Sequence, residues 1–201
     1  MEVNTALKSL LWSFLVVALL AVGALMVIER ADESRENLMV VGSVPAFQFI
    51  DETEQAFSQD NLKGKISIVD FIFTNCQGPC PVMAINMKEL YDFYAESPEV
   101  QFVSISVDPA RDTPEVLREY AARTGVTDER WTFLHGELPE VQRLLEQGFY
   151  LAADNLPMGH TTKFVLVDQL GQIRGYYDYN DRLALEVLKQ NVQHLNEEHA
   201  G

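Results

Sequence analysis

Apolar and polar positions fall into a few distinct patterns along the chain. Residues 9–28, SLLWSFLVVALLAVGALMVI, are apolar or small on every face and carry no charge. As a helix such a run would rise about 30 Å, the depth of a hydrocarbon core. This predicts an N-terminal anchor over residues 1–30, with a transmembrane helix at about 9–28. A cleaved leader needs a shorter apolar run with its small-x-small site after it. Val22-Gly23-Ala24 lies inside the run, so an uncleaved anchor is the expectation. Residues 31–43, ADESRENLMVVGS, turn polar and read as a tether.

From residue 44 the patterns shorten into a domain running to 201. Val44 to Ile50 alternates, predicting an edge strand with its proline at the start. Asp51 to Gln55 is a polar turn, and Ala56-Phe57 returns as a second short strand, an N-terminal hairpin. ISIVDFIF (66–73) and VQFVSISV (100–107) are β-branched and aromatic with little alternation, the mark of strands buried on both faces. Pro81 suits an early helical position, and apolar residues at 82, 83, 87, 90, 91 and 94 make a helical stripe running towards Ser97. Thr113-Pro114-Glu115 is an N-cap, first-turn proline and early acid, opening a helix to about Arg123. Trp131 to Leu134 is a short strand, and Pro139 begins a helix through Leu145. Residues 161–168 and 172–177 are strands joined at Leu170-Gly171. Asp181 caps a last helix of roughly fifteen residues, with Leu183, Val187, Leu188 and Leu195 along one side. Helices between buried strands argue for a parallel centre and the late hairpin for antiparallel strands, hence an α/β sandwich with a mixed central sheet.

Charge narrows the partners. Fifteen basic and thirty acidic side chains give a formal net charge of −15. Residues 1–30 balance, Lys8 and Arg30 against Glu2 and Glu29, so the whole deficit belongs to residues 31–201. Such a chain repels phosphate backbones, and nucleic acid is not expected as a partner. Two cysteines exclude a disulfide-rich scaffold and any four-cysteine metal site.

Those two, Cys76 and Cys80, stand in FTNCQGPCP where a central strand passes into a helix, the edge at which open α/β folds place their sites. Amides and dipole at the helix start favour an anion, so a thiol there is expected to ionise more easily. Three intervening residues, including glycine and proline, let the loop turn both sulfurs towards one point. An inert disulfide, a redox pair and a soft-metal site all remain open on this spacing. A metal would want a third ligand. His194 and His199 lie among Asn and Glu on the last helix, in solvated positions. His135 ends a short strand before Gly136. His160 opens the strand TTKFVLVD after the loop LPMG, at a sheet edge beside the cysteines. Two thiolates and an imidazole suit Cu(I), and with a further ligand Cu(II) or zinc. Met83, Met87 and Met158 are candidate thioethers, although methionines at such positions usually pack.

FIFTNCQGPCP (71–81), SISVDPARDTPEVLREYA (104–121), WTFLHG (131–136) and HTTKFVLVDQLGQIRGYYD (160–178), with the VPAFQFID opening, resemble the Sco/SenC family of thioredoxin-like copper proteins. The resemblance spans nearly all of residues 44–190. It implies a thioredoxin-like sandwich, one copper per chain as Cu(I) or Cu(II), and Cys76, Cys80 and His160 as its ligands. It further implies a metallochaperone that assists the dinuclear copper site of cytochrome c oxidase subunit II, or a related copper protein, with a copper donor chaperone upstream. The domain would hang on the periplasmic side of a bacterial inner membrane from its single helix. The alternative is a membrane-anchored thiol–disulfide reductase that cycles a Cys76–Cys80 disulfide and keeps the target cysteines reduced. Two departures stand out. The loop interior is Gln-Gly-Pro where many members place proline first, and Gly159 stands where some have an acid. Peroxiredoxins want a proline before the cysteine that Phe71 to Asn75 lacks. Glutathione peroxidases bring partner motifs absent here, and thioredoxins use two intervening residues.

Overall fold

The computed structural model describes residues 12–18, 21–22 and 38–200. Residues 1–37 and 38–201 form two separate units. In the first, residues 12–18 and 21–22 are helical and exposed. Among the described residues no helix is long and apolar enough to cross a membrane; the rest of the expected anchor, and the tether up to residue 37, lie outside them.

The second unit is built on one eight-stranded mixed sheet. Its strands are β1 (Gly42–Ser43), β2 (Gln48–Asp51), β3 (Ala56–Ser58), β4 (Ile66–Ile72), β5 (Val100–Ser106), β6 (Trp131–His135), β7 (Lys163–Val167) and β8 (Gln172–Asp178). They lie in the order β1-β8-β7-β4-β5-β6-β2-β3. Helices of the unit are α1 (Cys80–Phe93), α2 (Pro114–Thr124), α3 (Leu138–Arg143) and α4 (Arg182–Ala200), with a π-helical turn after α3 at Leu144–Gly148. The expected parallel centre is present: β4 runs parallel to β5 and β5 to β6, while β7 and β8 are antiparallel.

Every residue of β4 and β5 is buried, as their unbroken apolar runs require. Ile66, Ile68 and Ile72 face α1, α2 and α4, meeting Met83, Met87, Leu117 and Leu188. Val69 and Phe71 face the other way, against Leu144, Leu145 and Phe149 and the β2–β3 hairpin. Each fully buried side chain of this size contributes roughly 1.5–3 kcal/mol, so strand alternation alone sets which layer covers which face.

Several boundaries differ from expectation for identifiable reasons. The run 44–50 is not one edge strand. Val44 donates to the Gly171 carbonyl on the β1 side, whereas the Phe47 amide goes to the Gln59 side chain and pairing on the far side starts at Gln48. That strand, β2, is also flanked on both sides, by β3 and β6. Helix α1 stops at Phe93 because Tyr94 leaves helical geometry (φ −97°, ψ 26°) and Ala95 turns back on Asp92. On α4 the buried stripe is Leu185, Leu188, Val192 and Leu195, while Leu183 and Val187 are exposed. α2 follows its signals closely: Thr113 Oγ1 accepts from the Val116 amide and Gly125 closes the helix at φ 83°.

Candidate metal centre

Register brings three distant segments to one edge of the sheet. Ile72 lies beside Ser106 at the ends of β4 and β5, and Ser67 opposite Val167 sets the start of β7 level with the end of β4. The loops leaving β4 and β5 and the loop entering β7 therefore meet.

Cys80 is the first residue of α1 and its side chain is buried. Its Sγ lies 3.7 Å from Nε2 of His160. The imidazole is fixed from two sides. Its Nδ1 lies 2.8 Å from the Thr161 carbonyl, which can only accept, so Nδ1 carries the proton and Nε2 keeps its lone pair towards the sulfur. The Phe73 ring stands edge-on to it, centroids 5.5 Å apart at 87°. Burial pushes the His160 pKa down, against a smaller lift from the Thr161 bond, and holds the ring neutral at pH 7.

Cys76 is partly exposed in the loop, and its sulfur accepts from the Gly78 amide at 3.4 Å. It is also among the groups that raise the pKa of Cys80. Both cysteines are free thiols. The expected easing of ionisation at the helix start is overturned for Cys80. Burial, then the Cys76 thiol and the charges of Cys76 and Asp70, push it up to about 12, against a smaller opposing pull from the Phe73 backbone.

Among the described residues, no three His, Cys, Asp or Glu side chains are already closed around a point that a metal would occupy. The donors nonetheless fit one. Two ligands on a metal at ~2.1–2.3 Å stand roughly 3.5–4 Å apart, and Cys80 and His160 have that spacing, with the third donor on the partly exposed Cys76. A cavity of about 560 Å³ opens on this side, lined by Cys76, Gln77, Gly78, Met158 and His160 among others.

The remaining candidates separate. Met83 and Met87 are fully buried in the core, whereas Met158 is 79% exposed on the cavity wall. His135 is bound through Nδ1 to the Asp112 carbonyl at 2.9 Å, away from the sulfurs. His194 lies 3.1 Å from Glu198 on α4 and has no part in the site, and the side chain of His199 lies outside the described residues.

Two supporting features were not read from the sequence. Asp112, wholly buried, accepts from the Thr74 amide (3.1 Å), the Thr74 hydroxyl (2.5 Å) and the Ser106 hydroxyl (2.7 Å). It thereby clamps the strand end two residues before Cys76 to the loop after β5. Asp70 lies beneath, on the face that meets α1 and α2, and accepts from Ser104 Oγ at 2.6 Å. That hydroxyl accepts in turn from Trp131 Nε1 at 2.9 Å. A carboxylate amid ISIVDFIF was the available signal for Asp70, and the SVDPARDTP block for Asp112.

Comparison with known proteins gives a consistent result. The family model SCO1/SenC matches residues 40–196. The SCO1 protein homolog of Bacillus subtilis (strain 168) is 34% identical over 144 residues, covering 68% of this chain and 73% of that protein. The solved structure of BsSco, a member of the Sco family of cytochrome c oxidase assembly proteins with a disulfide switch, aligns with a TM-score of 0.70. The identity is 29%, over 78% of this chain and 95% of that one. ScoI of Bradyrhizobium japonicum, solved with copper bound, aligns with a TM-score of 0.62 at 25% identity, over 74% and 98%. With a mixed thioredoxin-like sheet, a paired-cysteine loop facing a histidine, and a family match over most of its length, the chain belongs to the SCO1/SenC family.

Proposed function

We propose that the chain is a copper metallochaperone for the dinuclear copper site of cytochrome c oxidase subunit II or a related copper protein. Copper is its cargo, one ion per chain, held by the thiolates of Cys76 and Cys80 and by Nε2 of His160. The observation that carries this reading is the 3.7 Å approach of His160 Nε2 to Cys80 Sγ, with the other ring nitrogen committed to the Thr161 carbonyl. A histidine so fixed offers a lone pair that thiol–disulfide exchange alone does not need. Relatives known with copper bound, and as oxidase assembly proteins, support it. Uptake displaces two thiol protons, and release proceeds by stepwise ligand exchange, beginning at the more exposed Cys76. The N-terminal apolar run would anchor the protein in a bacterial inner membrane with this domain in the periplasm, on the side of its target and of a copper donor.

A second reading is favoured by the two free thiols of one loop, with Cys76 bearing on the ionisation of Cys80. As a reductase, one thiolate attacks a target disulfide and forms a mixed disulfide; the other cysteine then displaces the target as a dithiol and leaves a Cys76–Cys80 disulfide. An anaerobic titration of the reduced full-length chain in detergent with Cu(I) and Cu(II), beside His160→Ala, separates the two. One tight equivalent, weakened in the variant, is expected. No tight copper together with a readily cycled disulfide would transfer the function to the reductase.

A further inference from the structure

Both cysteines line a second cavity, also of about 560 Å³, that runs along α1 as far as Asp92 and is bounded across from it by Tyr120 and Arg123 of α2. The cavity on the His160 side is lined by Cys76 without Cys80, so the second one reaches a sulfur that the first does not. Its walls change character with distance from the sulfurs. Near them stand Ala84 and Ile85, and Ile85 is 59% exposed although Met83, Met87 and Leu90 already fill the core from the other side of α1. Farther along come the charges. Lys88 is taken by Asp92 at 2.6 Å and Arg123 lies 3.9 Å from Glu119, which leaves the exposed Glu89 without an ion pair among the described residues. Glu89 also borders the next cavity with Arg182 and Lys189, and pairs with neither.

We propose that this groove docks an extended segment of the copper acceptor, with a metal-binding cysteine at the sulfur end, an apolar residue two positions along, and a lysine or arginine two beyond that. The inference rests on the copper reading above. The spacing follows from two rises. Along α1, at about 1.5 Å per residue, Ile85 stands ~7.5 Å and Glu89 ~13.5 Å beyond Cys80. An extended chain advances about 3.3 Å per residue, so side chains two and four positions from a cysteine fall at ~6.6 and ~13.2 Å and point the same way. The apolar side chain covers Ile85, and the cation meets Glu89 on a chain whose formal charge of −15 already draws a basic segment. The arriving thiolate reaches both sulfurs by a route that His160 does not line.

The test uses reduced full-length protein in detergent and a capped peptide, Cys-Ser-Leu-Ser-Lys-Gly, whose cysteine is activated as a mixed disulfide with thiopyridine. A protein thiolate attacks the peptide sulfur, a disulfide forms between peptide and chain, and thiopyridone leaves with the electron pair, so its absorbance gives the rate. Below saturation that rate reads docking. Wild type is expected to prefer this peptide about fivefold over one with glutamate for lysine. It is expected to prefer it about threefold over one with serine for leucine. Glu89→Lys is expected to reverse the first preference and Ile85→Ser to abolish the second; both positions are exposed, and a melting curve verifies the fold. Glu129→Lys, the same charge change on an exposed residue before β6 at the opposite end of the sheet, is expected to keep both. Preferences that Glu89→Lys and Glu129→Lys shift alike would assign the effect to net charge and overturn the groove. So would leucine and serine peptides that react equally with the wild type. The assay contains no copper, so failure of the copper reading registers in the titration above and not here.

Discussion

Replacing Asp70 with asparagine isolates a single buried proton. Burial pushes this carboxyl from its ordinary 3.8 up to about 7, against a smaller opposing pull from the Ser104 hydroxyl. The folded protein therefore holds a proton that the unfolded chain has released between about pH 4 and pH 7. Its contribution to stability is complete below pH 4 and is lost as pH rises towards and through 7. About three pH units at ~1.4 kcal/mol each make the full swing on the order of 4 kcal/mol. The substituted amide keeps an oxygen to accept from Ser104 and does not titrate. Urea denaturation at pH 5, 6, 7 and 8, followed by circular dichroism, yields the wild-type and Asp70→Asn stabilities. The difference between them is the quantity to read, since it cancels groups common to both. The variant is expected to gain on the wild type by about 1.4 kcal/mol per pH unit from pH 5 to 7 and then level off. A difference that stays flat from pH 5 to 8 would refute the reasoning, because it would mean that Asp70 is ionised throughout and stabilised by its hydrogen bonds more than burial penalises it.

Two further outcomes follow from buried polar contacts. Asp112→Ala leaves the Thr74 amide, the Thr74 hydroxyl and the Ser106 hydroxyl without their acceptor. At ~1–3 kcal/mol per buried unpaired donor, partly relieved by water near Thr74, the expected loss is roughly 3 kcal/mol, with faster hydrogen exchange at the Thr74 amide. Unchanged exchange there would show that the loop does not depend on the clamp. Arg174 is nearly buried, pairs with Asp168 at 2.8 Å and donates twice to the Leu38 carbonyl at 3.0 and 2.7 Å. Arg174→Met strands the Asp168 charge and is expected to destabilise by about 3 kcal/mol, with early exchange at the Val41 and Val44 amides that join this edge to β8 and to the turn before it. Late exchange at both amides would contradict that role.

The central strands were legible because β4 and β5 are buried on both faces and the sequence shows it as unbroken apolar runs. The stretch 44–50 was not, since alternation says that a segment is extended but not which neighbour it joins, and here Val44 and Gln48 join opposite sides of the sheet. On α4 two apolar spacings competed. Leu183 and Val187 stand four apart, but only the 185, 188, 192, 195 series continues along the whole contact. In the site, Cys76, Cys80 and His160 could be proposed from their places at element ends, and two of them stand together. The buried acids escaped notice because their partners lie far off in sequence: Thr74 is 38 residues from Asp112, and Ser104 is 34 from Asp70. Ionisation of Cys80 was misjudged for a related reason. A place at a helix start is visible in a sequence, and the depth of burial that raises the thiol there is not.

The two rims of the sheet carry one more consequence. β1 has two residues and β3 three, whereas β4 and β5 at the centre have seven each. Unpaired backbone at a sheet margin is what recruits a second chain into edge-to-edge aggregation, and a margin only two or three residues long offers almost no template for it. The long hydrophobic strands that would be hazardous at a margin are enclosed by neighbours on both sides. A population of these molecules crowded together is thereby protected from growing into fibrils by the shortness of its outermost strands.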